Sequence, residues 1–119
     1  MFAGIDHVQL AAPPGCEDDA RRFFGSLLGL EEVEKPPALR ERGGVWFRVG
    51  GQQLHVGVDE GHTPARKAHP ALAASRYDEL LERLRAAGVV LTEDHVIPGV
   101  RRCYVTDPWG NRLELVSAE

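Results

Sequence analysis

The chain has 119 residues, 14 of them Lys or Arg and 18 Asp or Glu, which gives a formal net charge of −4. This length suits one domain, and the absence of a basic block excludes the phosphate-neutralising surface of a nucleic-acid binder. Residues 1–10 lack the basic start and apolar run of a signal peptide, and no stretch is long and apolar enough to span a membrane. We therefore expect a cytoplasmic protein with neither nucleic-acid nor membrane partners.

The first half of the chain has the pattern of a strand, a helix and three strands. Residues 4–11 have strand character, and residues 18–28 have the apolar spacing of an amphipathic helix that ends at Gly29. Further strands are predicted at residues 30–34, 45–49 and 52–58, the last two joined by a tight turn at Gly50 and Gly51. Residues 36–44 are rich in Pro, Gly and charge and are predicted to form a loop.

The second half repeats this order after another predicted loop at residues 59–67. A strand is predicted at 68–74, then a helix at 76–87 with Ser75 as its N-cap and Gly88 as its stop. Strands follow at 89–93, 101–106 and 112–116, with a type I turn from Asp107 to Gly110 between the last two. The repeated β-α-β-β-β order predicts an α+β fold of two modules, at about residues 1–60 and 65–119, in a single domain 1–119.

Four polar side chains occupy matching strand positions of the two modules: His7, His55, His69 and Glu114. Successive strand residues face opposite sides, so these side chains point away from the core that their apolar neighbours enter. Each one alone is ordinarily a solvent-facing or hydrogen-bonded residue, but all four would converge on one cavity if the modules pack about a pseudo-twofold axis. Three imidazoles and a carboxylate suit a divalent metal ion (Zn, Ni, Co, Mn or Fe), and the residues do not choose among these metals.

The other reactive side chains have weaker contexts. His62 and His95 lie in predicted loops and are expected at the surface, with His62 the better placed to touch a substrate. Cys16 and Cys103 belong to no CxxC motif, so we expect a structural role for both.

Four segments of the sequence resemble one known superfamily. They are IDHVQL at residues 5–10, FFGSLLGL at 23–30, AHPAL at 68–72 and DPWGNRLEL at 107–115. Together they are similar to the vicinal-oxygen-chelate superfamily, which contains glyoxalase I, extradiol dioxygenases, fosfomycin-resistance thiol transferases, methylmalonyl-CoA epimerase and bleomycin-resistance proteins. The resemblance covers nearly the whole chain, and its most specific part is the DPxGNxxEL-like ending. It implies that the two modules form a curved mixed sheet around a cavity.

The resemblance implies that His7, His69 and Glu114 are metal ligands, because they match the positions that members with a metal use. His55 stands where glyoxalase I and the epimerase have Glu or Gln, a departure that argues against those two activities. The His/His/Glu set is similar to the facial triad of iron dioxygenases, whereas bleomycin-type binding members generally lack the ligands. The resemblance also implies a homodimer, in which the ligands of one site come from one chain or from both.

The leading hypothesis is a metal-dependent enzyme of the glyoxalase or dioxygenase type, a lyase, isomerase or dioxygenase that chelates adjacent oxygens of a small substrate on the metal. Glu114 would be a ligand and a proton shuttle. Strand parity indicates five cavity-lining candidates for substrate binding: Gln9, Trp46, Arg48, Arg102 and Tyr104. Two alternatives stay open: a non-catalytic small-molecule binding protein, and a thiol transferase acting on an antibiotic. The transferase predicts cations near the metal, for which Arg101 and Arg102 are the obvious candidates.

Overall fold

The computed structural model describes all 119 residues and contains two four-stranded sheets of mixed direction. Contacts within the chain divide it into two units, Met1–Thr63 and Pro64–Glu119, each with one of the sheets. The α+β fold class with a duplicated β-α-β-β-β order is confirmed. Neither the ten-residue second helix nor any other helix has the length and apolar character that a membrane span needs.

The first unit forms a sheet in the order β1-β4-β3-β2, in which β1 and β4 are parallel and the other neighbours antiparallel. Its elements are β1 His7–Ala12, α1 Glu17–Ala20, a π-helical segment Arg21–Leu27, β2 Glu31–Val33, a 3-10 helix Pro37–Arg42, β3 Val45–Val49 and β4 Gln52–Val58. The apolar face of the sheet carries Phe47 and Leu54, which are fully buried with Phe24 of the π-helical segment. This packing orients the opposite face of the same sheet away from the core.

The second unit repeats the topology in the order β5-β8-β7-β6, with β5 and β8 parallel. Its elements are β5 Ala71–Ala74, α2 Tyr77–Ala86, β6 Thr92–Asp94, β7 Arg102–Thr106 and β8 Arg112–Ser117. Leu81 and Leu84 of α2 are buried, as are Cys103, Leu113 and Leu115 of the sheet. Cys16 and Cys103 are both buried and form no disulfide.

The helix predicted at residues 18–28 is present but is not a regular α-helix. Its first four residues are α-helical, and the rest continue with π-type hydrogen bonds, such as that from the Leu28 N–H to the Phe23 carbonyl at 2.9 Å. A π-helix has more residues per turn, so adjacent side chains are separated by a smaller angle. Phe23 and Phe24, adjacent in this segment, are both buried, at 6% and 0% exposure.

Three other local predictions were wrong. The predicted loop at 36–44 contains the 3-10 helix Pro37–Arg42, where Pro37 supplies a backbone angle suited to the first helical turn. Ser75 does not cap α2: the capping position is Arg76, with no side-chain cap bond, and its guanidinium binds Glu79. The strand predicted from residue 68 begins only at Ala71, because Pro70 has no N–H to donate to a ladder.

The turn between β7 and β8 is held by the side chain of Asp107. The Gly110 N–H donates to the Asp107 carbonyl at 3.2 Å, as in the predicted type I turn. Asp107 Oδ1 accepts from the N–H groups of Trp109 and Asn111, and Oδ2 accepts from the Asn111 side-chain amide at 2.7 Å. Asp107 is 5% exposed, so these bonds satisfy a buried carboxylate. The turn fixes where β8 begins and therefore where Glu114 lies.

Candidate functional site

The polar face of the first sheet carries three of the predicted site residues side by side. The register places Gln9 of β1 on one side of His55 and Trp46 of β3 on the other. His55 is 4% exposed although it faces away from the core. Neighbouring side chains on the same face of the sheet shield His55 from solvent.

His55 lies between two other rings. Its centroid is 3.8 Å from that of Trp46, with the planes parallel, and 4.2 Å from that of His7, with an angle of 22°. His55 Nε2 donates to Gln53 Oε1 at 2.8 Å, which leaves Nδ1 as the nitrogen without a proton. Burial, followed by the charge of His7, lowers the pKa of His55 below its ordinary value. His55 is therefore a neutral ring at neutral pH.

This stacking bears on the predicted metal ligands. A metal binds an imidazole nitrogen close to the plane of the ring, and two nearly parallel planes 4.2 Å apart do not meet near the nitrogens. In this orientation His7 and His55 do not present nitrogens to the same ion. One of the two rings would have to rotate for both to be ligands.

His7 has the hydrogen bond that is typical of a metal-binding histidine. Its Nδ1 donates to Asp6 Oδ2 at 2.9 Å, and its side chain is 42% exposed. Histidine ligands ordinarily donate their second N–H to a carboxylate or a carbonyl, which fixes the tautomer and the ring orientation. Nε2 of His7 is thereby left as the nitrogen without a proton.

The second unit brings His69 and Glu114 into direct contact. His69 Nδ1 donates to the Lys67 carbonyl at 2.6 Å, and Nε2 lies 3.0 Å from Glu114 Oε1. Two ligands at about 2.1 Å from one metal, at a right angle, are about 3 Å apart. The pair is mostly buried, with side-chain exposures of 21% and 11%. Its geometry fits two adjacent ligands of a single ion.

Arg102 holds the other oxygen of Glu114. Its Nη1 lies 3.4 Å from Glu114 Oε2 and its Nη2 lies 3.1 Å from Asp94 Oδ2. The side chain is 18% exposed, and its buried Nε has no hydrogen-bond partner. Arg102 is therefore tied to two carboxylates on the sheet, and its role in substrate binding stays a prediction.

The other substrate-binding candidates lie on the polar faces in different settings. The Gln9 side chain lies over Gly57, where an added Cβ would be 2.3 Å from Gln9 Nε2. Arg48 is exposed, 3.7 Å from Glu31 Oε2. Trp46 lines a cavity of 490 Å³ in the first unit. Tyr104 lines one of 580 Å³ in the second and contacts the His69 ring edge-on, with centroids 5.3 Å apart.

Two arginines were missed by the sequence reasoning. Arg66 and Arg112 line the 580 Å³ cavity, and the Arg112 guanidinium lies 4.1 Å from the centroid of the Tyr104 ring. Strand parity could have found Arg112, which lies two residues before Glu114 on the same face of β8. Arg101, which had been considered as a nearby cation, instead binds Asp78 and lies over the Tyr77 ring.

The four predicted ligands thus form two pairs, His7 with His55 in the first unit and His69 with Glu114 in the second. Neither unit by itself contains three His, Cys, Asp or Glu side chains placed to hold a metal ion. The tautomers of His7 and His69 and the position of Glu114 fit a metal, and the present orientation of His55 does not. His95 is exposed and belongs to neither pair.

Comparisons with known proteins agree with this fold. Residues 4–115 match the model of the Glyoxalase/Bleomycin resistance protein/Dioxygenase superfamily, and the chain belongs to that superfamily. A glyoxalase family protein from Bacillus anthracis is 46% identical, with a TM-score of 0.96 over 100% of this chain and 98% of that one. No match was found among curated proteins.

More distant solved structures share the fold alone. A lactoylglutathione lyase from Agrobacterium tumefaciens is 24% identical, with a TM-score of 0.75 over 98% of this chain and 95% of that one. A fosfomycin resistance protein from Listeria monocytogenes is 20% identical, with a TM-score of 0.78 over 100% of this chain and 96% of that one. Proteins of such different activity share this fold, so the scaffold does not specify one reaction.

Proposed function

We propose that this chain is a metal-dependent enzyme acting on a small molecule, with a divalent metal held by His7, His69 and Glu114. The observation that carries the proposal is the His69–Glu114 pair, whose ligand atoms are 3.0 Å apart. His69 Nδ1 donates to a backbone carbonyl, so Nε2, which lies against Glu114 Oε1, is the nitrogen that a cation would bind in place of this contact. His7 has the same arrangement with Asp6 as its partner.

A metal bound to this set would supply Lewis-acid stabilisation of the negative charge that develops on adjacent substrate oxygens. The protein's own residues have separate tasks. Glu114 would contribute one oxygen as a ligand and would exchange a proton with the substrate, and Arg102 lies 3.4 Å from its second oxygen. Tyr104, against the edge of the His69 ring, forms part of the wall that the substrate contacts.

We propose that His55 acts first as a support for His7. Its ring is stacked between Trp46 and His7, and Gln53 binds its Nε2. It becomes a fourth ligand only if its ring turns out of this stack. His55→Ala should therefore weaken metal binding less than His7→Ala does.

Metal content tests the proposal directly. We expect one metal ion per chain in protein purified without added metal, and its loss in His7→Ala and Glu114→Ala. His95→Ala is the matched control, because His95 is exposed and outside both pairs. Retention of stoichiometric metal by both ligand variants would overturn the ligand assignment.

Turnover assays separate an enzyme from a binding protein. The substrates to test are hemithioacetals, catechols, and epoxides with and without a thiol. Metal-loaded protein that turns over none of these, yet binds an aromatic ligand stoichiometrically, would favour the binding-protein alternative.

A mixing experiment separates ligands from one chain and from two. We propose that the site belongs to a homodimer. In the experiment, chains carrying His7→Ala are mixed with chains carrying Glu114→Ala, and dimers with one chain of each kind are isolated. Sites shared between chains would leave one intact site in each mixed dimer, and sites within one chain would leave none. Metal content of the isolated mixed dimer therefore distinguishes the two arrangements.

A further inference from the structure

The 580 Å³ cavity of the second unit has a lining without any acidic residue. Its lining includes Arg66, Val90, Thr92, Tyr104, Thr106 and Arg112. A volume of this size suits a small organic molecule. The lining combines two cations, three hydroxyl groups and several apolar side chains, a composition that favours a ligand with one charged end.

The two arginines of this cavity have no carboxylate partner. Arg102, on the same sheet, forms ion pairs with Asp94 and Glu114, and its charge is locally balanced. Arg66 and Arg112 form no ion pair, so the cavity has an excess of positive charge. In a protein with a net charge of −4, this local excess is opposite in sign to the whole chain.

Tyr104 fixes one of these cations in place. The Arg112 guanidinium lies 4.1 Å from the centroid of the Tyr104 ring, a cation–π contact that restricts its side chain while its N–H groups stay available. A guanidinium binds carboxylate, phosphate and phosphonate oxygens with two parallel hydrogen bonds. Thr92 and Thr106 add hydroxyl donors in the same lining.

We infer that this cavity binds the oxyanion of a small organic acid at Arg112 and Arg66, with the apolar part of the same molecule against Tyr104 and Val90. Binding of the acid in this cavity does not depend on the proposed function; only its identification as the substrate of the enzyme rests on that proposal. Tyr104 contacts both Arg112 and the candidate ligand His69, so one aromatic ring connects this cavity to the His69–Glu114 pair. The substrate class is then an organic acid that carries further oxygens for a metal.

Binding of phenylphosphonate tests the inference, with benzoate as a second oxyanion and benzyl alcohol as the neutral analogue. The titration is followed by amide NMR shifts on the whole chain, both as purified and after removal of metal by a chelator. We expect both oxyanions to bind at least about tenfold more tightly than benzyl alcohol, with shifts centred on Thr92, Thr106 and Gly110, and weaker binding at high salt.

Charge-removing variants identify the residues. Arg112→Gln should weaken phenylphosphonate binding about tenfold, and Arg66→Gln by a smaller factor, since Arg66 is more exposed. Arg76→Gln is the matched control: it removes one exposed charge of the same unit outside the cavity and should leave binding unchanged. Equal binding by Arg112→Gln and wild type, equal binding of benzyl alcohol, or shifts located elsewhere would each overturn the inference.

The titration of metal-free protein distinguishes failure of this inference from failure of the proposed function. Oxyanion binding that persists without metal supports the cavity assignment even if no stoichiometric metal is ever found. Oxyanion binding that occurs only with metal present would mean that the ion, and not Arg112, captures the anion. That result would overturn the cavity inference and leave the metal proposal intact.

Discussion

The indole ring of Trp46 and the imidazole ring of His55 lie parallel, with their centroids 3.8 Å apart. Trp46 therefore reports the protonation state of His55, because an imidazolium in contact with an indole quenches its fluorescence. Burial and then the charge of His7 lower the pKa of His55. In metal-free protein carrying Trp109→Phe, we expect fluorescence to fall as the pH decreases, with a midpoint below the ordinary histidine value.

His55→Gln should abolish this titration while leaving the indole in place. The sign for stability follows from the same shift. The folded-state pKa lies below the unfolded one, so the unfolded chain takes up the proton first as the pH falls. The contribution of His55 to the free energy of unfolding is thus greatest above the unfolded pKa and decreases toward the folded pKa. A fluorescence midpoint at or above the ordinary value would contradict the stacked, buried geometry.

Replacing Arg102 tests whether this residue orients Glu114. Arg102→Ala leaves Glu114 Oε2 and Asp94 without their shared cation. We expect metal affinity to fall about tenfold or more, as is typical when a residue that positions a ligand is lost. Arg102→Lys should lower metal affinity by less, because lysine keeps the positive charge but lacks the two guanidinium nitrogens that contact both carboxylates. Tighter metal binding by Arg102→Ala would show instead that repulsion by the guanidinium dominates.

Two glycines form a matched pair for testing backbone geometry. Gly15 and Gly44 both have positive φ, of 82° and 86°, but an added Cβ at Gly44 would lie 2.2 Å from the Val56 carbonyl oxygen, whereas none is near Gly15. We expect Gly15→Ala to cost about 1–2 kcal/mol, the strain of the left-handed conformation. Gly44→Ala should cost clearly more, because β4 has to move. Equal urea midpoints for the two variants would contradict this difference.

The buried turn carboxylate has an exposed counterpart elsewhere in the chain. Asp107 and Asp59 each accept a hydrogen bond from the N–H two residues later, but Asp107 is buried and accepts two more bonds. We expect Asp107→Ala to lower the free energy of unfolding by about 2–4 kcal/mol, and Asp59→Ala by less than about 1 kcal/mol. Chemical denaturation of both variants provides the comparison. Similar losses would mean that burial of this carboxylate does not matter.

Repetition in the sequence was enough to predict the fold. The alternation of apolar residues around His55 and Glu114 identified the polar faces of β4 and β8, and the repeated order of elements along the chain predicted the two units. The unusual hydrogen bonding of residues Arg21–Leu27 was not predictable, because it depends on how Phe23 and Phe24 pack against the sheet. The apolar periodicity of the sequence shows which face of a helix is buried, but it does not distinguish α-helical from π-helical hydrogen bonding.

The sequence predicted which face of the sheet each candidate site residue occupies, but not the contacts between these side chains. Strand parity placed Arg102 and Tyr104 on the polar face, but it says nothing of counter-ions, and Arg102 is engaged by Asp94, eight positions away. Ring orientation is equally invisible in a sequence. The His7–His55 stack depends on side-chain torsions, and it changes which of the two rings is available to a metal.

The parallel pairing of β1 with β4 has a consequence for how the chain is made. β1 ends at Ala12 and its partner begins at Gln52, so during synthesis β1 has no neighbour until Val58 has emerged from the ribosome. β5 likewise has no pairing strand until β8 has been synthesised. A nascent chain that stalls between such partners exposes unpaired strand edges, which are sites of aggregation and of chaperone binding. Slow translation just before Gln52 or Arg112 should therefore lower the yield of folded protein more than slow translation elsewhere.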